Sequence, residues 1–289
     1  MSNLMDLLFK TNAFKICKPN DPFWYTSGKI GPYFINADYL YGSEEESKEF
    51  LKFIDLELEH EAKEDIPGHL FQRIIDHYHT NEIYRDVVNQ MKEFIEKNIV
   101  VSKIDYISGG ERRDWYYSII LSYLLGIPHV TIFKDLTTVE SDSDFTHSEI
   151  VKSIPDKNFL HVADLLNQSA SFIRGWIPAI KNLGSHIEWS LFAVDRMQGG
   201  TETLNEVGVK VYAMLNIDDS LFVRAKDLGI IDDSQLEMLR EFREDPDGSM
   251  KRFLIAHPEF IVNAKQSKSE KTRKRVNLML EKDIYGLNE

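Results

Sequence analysis

The stretch "FLHVADLLNQSAS", Phe159 to Ser171, decides how this chain is read. A run of mostly apolar residues leads to a single carboxylate, Asp164, and then to small polar residues. Such a run reads as a buried β-strand whose C-terminal end carries the acid. The residues after it suit a turn into a helix, with Asn167, Ser169 and Ser171 offering donors to an anion. Backbone amides at that helix start would add positive potential. The plainer reading is that Asp164 ends a strand and Ser171 caps the helix.

Working outward, the same grammar repeats. "KIDYISGG", "HVTIF", "IEWSLFAVD" and "VKVYAMLNI" read as further strands, separated by the helical "WYYSIILSYLLG" and "SFIRGWIPAIKNLG". Strands alternating with helices predict a mainly parallel α/β sheet flanked by helices, with ligands at the strand C-terminal ends. Upstream, residues 4–17 are expected to form a short amphipathic helix. "PNDPFWYTSGKIGPYFINADYLYG" is expected to form a hairpin or extended arm. Residues 43–98 read as a helical insert, opened by Ser43 and its glutamates as an N-cap signature. After Asp218 the pattern is helical and polar, so 1–218 is expected as one domain and 219–289 as a helical extension.

Composition narrows the function classes. The chain has 289 residues, 43% hydrophobic and 28% charged, as expected of a globular protein with a real core. A net charge of −13 argues against nucleic acid or an anionic membrane surface as partner. With Cys17 the single cysteine, no internal disulfide forms, and a cytoplasmic setting is the simplest expectation. No run approaches the roughly 18 apolar residues of a membrane span, and the N-terminus lacks the pattern of a secretory signal. "HEAKE" lacks the second histidine of a zinc helix. His77 and His79 fall on opposite helix faces and read as solvated, and "DPDG" reads as a turn.

Three strand ends carry candidate chemistry. "YISGGERRD" offers Gly109 and Gly110 for close approach of backbone to an anion, with Arg112 and Arg113 beside them. "HVADLLNQSAS" offers Asp164, and "AVDRMQGGTE" offers Asp195 and Arg196. Alone, the first reads better as a tight turn with two solvated arginines, the second equally well as a strand end and helix cap, and the third as a local ion pair. Together on one sheet edge they indicate a site.

The order "SGKIGPYFINA", "ISGGERRDW", "FLHVADLLNQSAS" and "AVDRMQGG" resembles the orotate phosphoribosyltransferases, over roughly Phe23 to Ile217. That resemblance implies a type I phosphoribosyltransferase fold with an N-terminal substrate arm. It implies transfer of ribose 5-phosphate from phosphoribosyl pyrophosphate (PRPP) to orotate or a related base, with Mg²⁺, in a homodimer. By resemblance Phe34 and Arg196 would line the base pocket, Lys29 of the arm would bind substrate, Arg113 would meet the pyrophosphate and Lys134 would contact PRPP. Asn167, Ser169 and Ser171 would meet the 5-phosphate. Asp164 would hold the ribose hydroxyls and, through them, the metal; Asp164 and Lys134 are the expected catalytic pair.

The chain departs from the family pattern at specific positions. Ala163 replaces one of two ribose-binding acids, and Asn167 replaces a threonine. Ser169 replaces a glycine, where a Cβ costs if φ is positive. In "FKDLTTVESDSDFTHSE", read as the mobile catalytic loop, Phe133 stands for an arginine and Thr137 for the catalytic lysine. Thr26 replaces a lysine before Ser-Gly. Two functions therefore stay open: a transferase, or a non-catalytic homologue that binds a nucleotide, a phosphoribosyl ligand or a protein partner.

Overall fold

A computed structural model describes residues 3–287. In chain order the elements are α1 (Leu4–Lys10), β1 (Phe14–Ile16), β2 (Phe23–Trp24), β3 (Ile30–Gly31) and β4 (Tyr33–Ile35). The insert supplies α2 (Glu44–His60), α3 (Ile66–Thr80) and α4 (Glu82–Asn98). The alternating region follows as β5 (Tyr106–Gly110), α5 (Trp115–Leu125), β6 (His129–Ile132), β7 (Thr138–Ser141), β8 (Ser148–Ile150) and β9 (Asn158–Leu166). It continues with α6 (Ile177–Asn182), β10 (His186–Asp195), α7 (Gly200–Glu206) and β11 (Lys210–Asn216). The C-terminal helices are α8 (Asp219–Asp227), α9 (Asp233–Glu244), α10 (Pro246–Ala256), α11 (Pro258–Lys265) and α12 (Glu270–Glu281). No described helix is long and apolar enough to cross a membrane.

The chain forms two compact units. One joins the residues up to Ala13 with Asn36–Ile217; the other joins Phe14–Ile35 with the residues from Asp218 onward. The substrate-arm segment thus folds with the C-terminal helices.

The first unit is built on a seven-stranded sheet of order β11-β10-β9-β5-β6-β7-β8. Strands β11, β10, β9, β5 and β6 run parallel, and β7 and β8 add antiparallel at one edge. β5 is followed in the sheet by β6 on one side, whereas β9 lies on its other side and leads to β10. The strand order therefore reverses between β5 and β9, the position in open α/β sheets beyond whose strand C-terminal ends ligands bind. Continuous apolar runs fit these central strands, because both faces are covered. Val162 and Phe192 are sealed, and a core cluster including Phe159, Phe172, Trp176 and Ile180 packs against the sheet.

The insert is part of this core. α3 and α4 pack on α5, whose residues Trp115 to Ser122 are all buried. Tyr116 Oη donates to Ser47 O at 2.8 Å, Tyr117 Oη to Ala37 O at 2.8 Å, and Tyr84 Oη to Tyr116 O. Ser43 caps α2 as expected, its Oγ accepting from Glu46 N at 3.2 Å. His77 is not solvated: it stacks on Tyr41 with ring centroids 4.0 Å apart.

Two segments differ from the sequence reading. The helix expected over 4–17 stops at Lys10, because Thr11 caps it and Asn12 turns at φ 58°, freeing Phe14–Ile16 to pair with Tyr33–Ile35. The segment read as a mobile catalytic loop instead forms the β7–β8 hairpin, its turn held by Thr146 Oγ1 donating to Asp142 at 2.9 Å.

In the second unit, Tyr285 Oη accepts from Ile30 N at 2.9 Å and Arg275 Nη1 donates to Trp24 O at 2.7 Å. Trp24 stacks on Phe260 at 5.4 Å between centroids, and Tyr33 meets Phe242 edge-on at 5.6 Å. "DPDG", read as a bare turn, starts α10, with Asp245 accepting from Gly248 N at 2.9 Å.

Candidate functional site

The site of interest lies where the sheet order reverses. Asp114, at the start of α5, ties the two flanking strand ends together. Its Oδ2 accepts from Gly110 N at 3.0 Å and lies 3.4 Å from His161 Nε2, while its Oδ1 accepts from Asp164 N at 3.4 Å. His161 is sealed on β9, its Nδ1 3.0 Å from Ser108 Oγ on β5 and its ring 4.6 Å edge-on from Phe172. One carboxylate backed by one histidine therefore fixes the geometry of the loops after β5 and β9.

Gly110 has a different purpose from the one its sequence pattern indicates. A Cβ there would lie 2.2 Å from the Trp176 indole, and its amide is committed to Asp114. The glycine is demanded by packing, so its backbone is not free to cradle an anion.

Asp164 projects partly exposed from the end of β9. Burial, followed by the Asp114 and Asp38 carboxylates, pushes its carboxyl up to about 8, against the pull of Arg113. Asp38 is buried, held by Ser47 Oγ donating at 2.8 Å and by Arg113, whose Nε is 3.3 Å away. Arg113, Asp38, Asp114 and Asp164 thus form one charged cluster, with three carboxylates against one guanidinium. Asp38 and Asp114 were missed in the sequence. The only signals were a lone aspartate in "INADY" and another after two arginines.

The loop after β9 is shaped by Ser169, at φ 59°, the left-handed conformation that a glycine would adopt without strain. Its Oγ donates to Gly200 O at 2.9 Å. Gly200 approaches so closely that a Cβ there would lie 2.3 Å from Asn167 O. Arg196 joins the same region: its amide donates to Leu166 O at 2.9 Å and its Nη1 to Asn167 Oδ1 at 3.4 Å. The buried Nε of Arg196 finds no hydrogen-bond partner among the described residues. Asp195 turns inward, accepting from Met197 N at 2.7 Å and Thr201 Oγ1 at 2.8 Å, so it organises its loop and makes no ion pair with Arg196. Ser171 makes no side-chain cap. It leads instead into a π-helical turn, Phe172–Trp176, ahead of α6.

The loop after β6 adds Lys134, exposed, with Nζ 3.2 Å from Glu111 and its amide donating to Glu111 Oε2 at 3.1 Å. Arg112 pairs with Asp55 of α2. Of the sequence candidates, Arg113, Lys134, Asp164, Asn167, Ser169, Ser171 and Arg196 all lie at the C-terminal ends of β5, β6, β9 and β10. Lys29 and Phe34 lie in the second unit. There Lys29 Nζ pairs with Asp247 at 2.7 Å, and Phe34 is half-buried beside Phe23 at 6.2 Å.

The arrangement brings together a partly buried carboxylate, a neighbouring guanidinium and a tight polar loop leading into a helical turn. No family model matches the sequence. Three solved structures resemble the fold at 15% identity. UMP synthase from Leishmania donovani has a TM-score of 0.54, covering 83% of this chain and 41% of that one, so this chain spans less than half its length. Orotate phosphoribosyltransferase from Aeropyrum pernix has a TM-score of 0.50, covering 78% of this chain and 99% of that one. The Francisella tularensis orotate phosphoribosyltransferase has a TM-score of 0.52, covering 84% and 96%. The fold is that of the type I phosphoribosyltransferases, as in the orotate enzymes.

Proposed function

We propose that this chain binds PRPP at the C-terminal ends of β5 and β9 and transfers its ribose 5-phosphate to orotate or a related base, releasing pyrophosphate. The observation that carries the reading is Asp164, a partly buried carboxylate near the reversal point of the sheet, with Arg113 near it and the Asn167–Ser171 loop following it. In such a transfer the C1–oxygen bond to pyrophosphate breaks as a base nitrogen bonds to C1. Positive charge grows on the ribose and negative charge on the leaving group. Asp164 would accept from the ribose hydroxyls and face the growing positive charge, while Arg113 and Lys134 would meet the departing phosphates. Ser169 and Asn167 would line the 5-phosphate, and Arg196 would answer a carboxylate on the base.

Among the described residues no cluster of three or more ligating side chains is arranged to hold a metal. Asp114 and Asp38 are already committed to the protein. That donor set fits Mg²⁺ carried in on the polyphosphate, with Asp164 touching it through the ribose. Bound in this way, Mg²⁺ would neutralise pyrophosphate charge.

A second reading rests on a specific observation: the three cations expected on the pyrophosphate side already have acidic partners. Arg112 has Asp55, Arg113 has Asp38 and Lys134 has Glu111. A site so balanced attracts pyrophosphate weakly, as in a homologue that binds without turnover. Pyrophosphate release from PRPP over a panel of bases with Mg²⁺ separates the two. Product above the uncatalysed rate supports the transferase, whereas saturable PRPP binding with no product leaves the binding-only homologue.

A further inference from the structure

On the leaving-group side the loop after β6 carries one cation, Lys134, already paired with Glu111, while Phe133 and Thr137 are neutral and Asp135 lies between them. The helical insert brings a cation to that place. Lys63 lies in the turn joining α2 to α3. Its Nζ donates to Thr137 Oγ1 at 2.9 Å, pairs with Asp135, and stands 5.2 Å from the centroid of the Phe133 ring. Its side chain keeps 33% exposure, so the ammonium remains reachable by a solute. The neighbouring contacts tie this turn to the site: Asp55 of α2 pairs with Arg112 after β5, and Glu111 bridges that loop to Lys134 after β6. The aromatic face beneath an ammonium steadies it without consuming its charge.

We infer that Lys63 binds the pyrophosphate group of the ligand at the ends of β5 and β6, exchanging Asp135 for the incoming anion. The inference rests on the proposed PRPP site and names the residue that completes its leaving-group side. It also gives the insert a purpose. A helical pair folded onto α5 supplies in a fixed position the charge that the β7–β8 hairpin lacks. An ammonium already held 2.9 Å from Thr137 needs only to exchange one oxyanion for another.

The test titrates inorganic pyrophosphate with Mg²⁺, and separately ribose 5-phosphate, into the full chain and its Lys63→Met, Lys63→Arg and Asp135→Asn variants. Methionine keeps an apolar stem on Phe133, and the urea midpoint of each variant verifies folding. Lys63→Met is expected to weaken pyrophosphate about tenfold or more while ribose 5-phosphate stays within about twofold. Lys63→Arg is expected to restore most of the loss, and Asp135→Asn to leave pyrophosphate binding equal or tighter. Unchanged pyrophosphate affinity in Lys63→Met overturns the inference alone. So does equal loss of both ligands, or binding of ribose 5-phosphate but not pyrophosphate by the unsubstituted protein. If the unsubstituted protein binds neither, the PRPP reading falls and this inference falls with it.

Discussion

Replacing Asp164 by asparagine should stabilise the protein while disabling its ligand site. The Asp164 carboxyl is pushed from an ordinary 3.8 to about 8 by burial and by Asp114 and Asp38. At about 1.4 kcal/mol per pKa unit, the full shift sets a ceiling near ~6 kcal/mol of native-state penalty for the ionised form. Asp164 is partly exposed, so solvent screening reduces this to about 1–2 kcal/mol. The sign follows from proton linkage. Between pH ~4 and ~8 the folded chain keeps a proton that the unfolded chain has released, so this group makes stability fall as pH rises. Asparagine removes the titration and keeps the backbone amide that donates to Asp114. Urea unfolding of both proteins at pH 5 and pH 8 reads the effect. The variant should exceed the parent by about 1–2 kcal/mol at pH 8 and by little at pH 5. A variant less stable than the parent at pH 8, or an equal difference at both pH values, refutes the electrostatic reasoning. Such a frustrated carboxylate is what a binding site retains at the expense of stability.

Other outcomes follow from the same geometry. Ser169→Ala should lose about 1–2 kcal/mol in urea unfolding, and Ser169→Gly should be about 1 kcal/mol better than the alanine variant, because φ is 59° there. Gly200→Ala should lose about 2–3 kcal/mol and PRPP-induced thermal stabilisation together, since the new methyl would lie 2.3 Å from Asn167 O. Asp114→Ala should cost about 2–3 kcal/mol by orphaning the Gly110 and Asp164 amides, which hydrogen exchange at those two positions would reveal. PRPP affinity in Mg²⁺ should rise between pH 6 and pH 9 as Asp164 ionises, a dependence absent from Asp164→Asn.

The legible part of this molecule was what short-range pattern encodes. The apolar run into Asp164 gave β9 away, the Ser43 cap marked α2, and the glycine expected at Ser169 announced a left-handed turn. The β7–β8 hairpin was hidden because "TVES" is short and polar for a buried strand, and its partner Ser148–Ile150 is the exposed edge strand, where polar residues are allowed. The strand Phe14–Ile16 was absorbed into the preceding helix because its partner, Tyr33–Ile35, lies beyond the intervening β2–β3 hairpin. The charge pattern of the site was illegible for a related reason. Asp38 with Arg113, Asp55 with Arg112 and Lys63 with Asp135 are pairs of residues far apart in sequence, brought together only by tertiary packing. Gly110 misled in another way, since an anion loop and a glycine crowded by an indole look alike in sequence.

Calorimetric titration of PRPP with Mg²⁺ into the full chain and into Asp164→Ala tests the central claim most directly. Saturable one-site binding that weakens tenfold or more when the carboxylate is removed is the expected result. Absence of binding, or equal affinity in the two proteins, would contradict it.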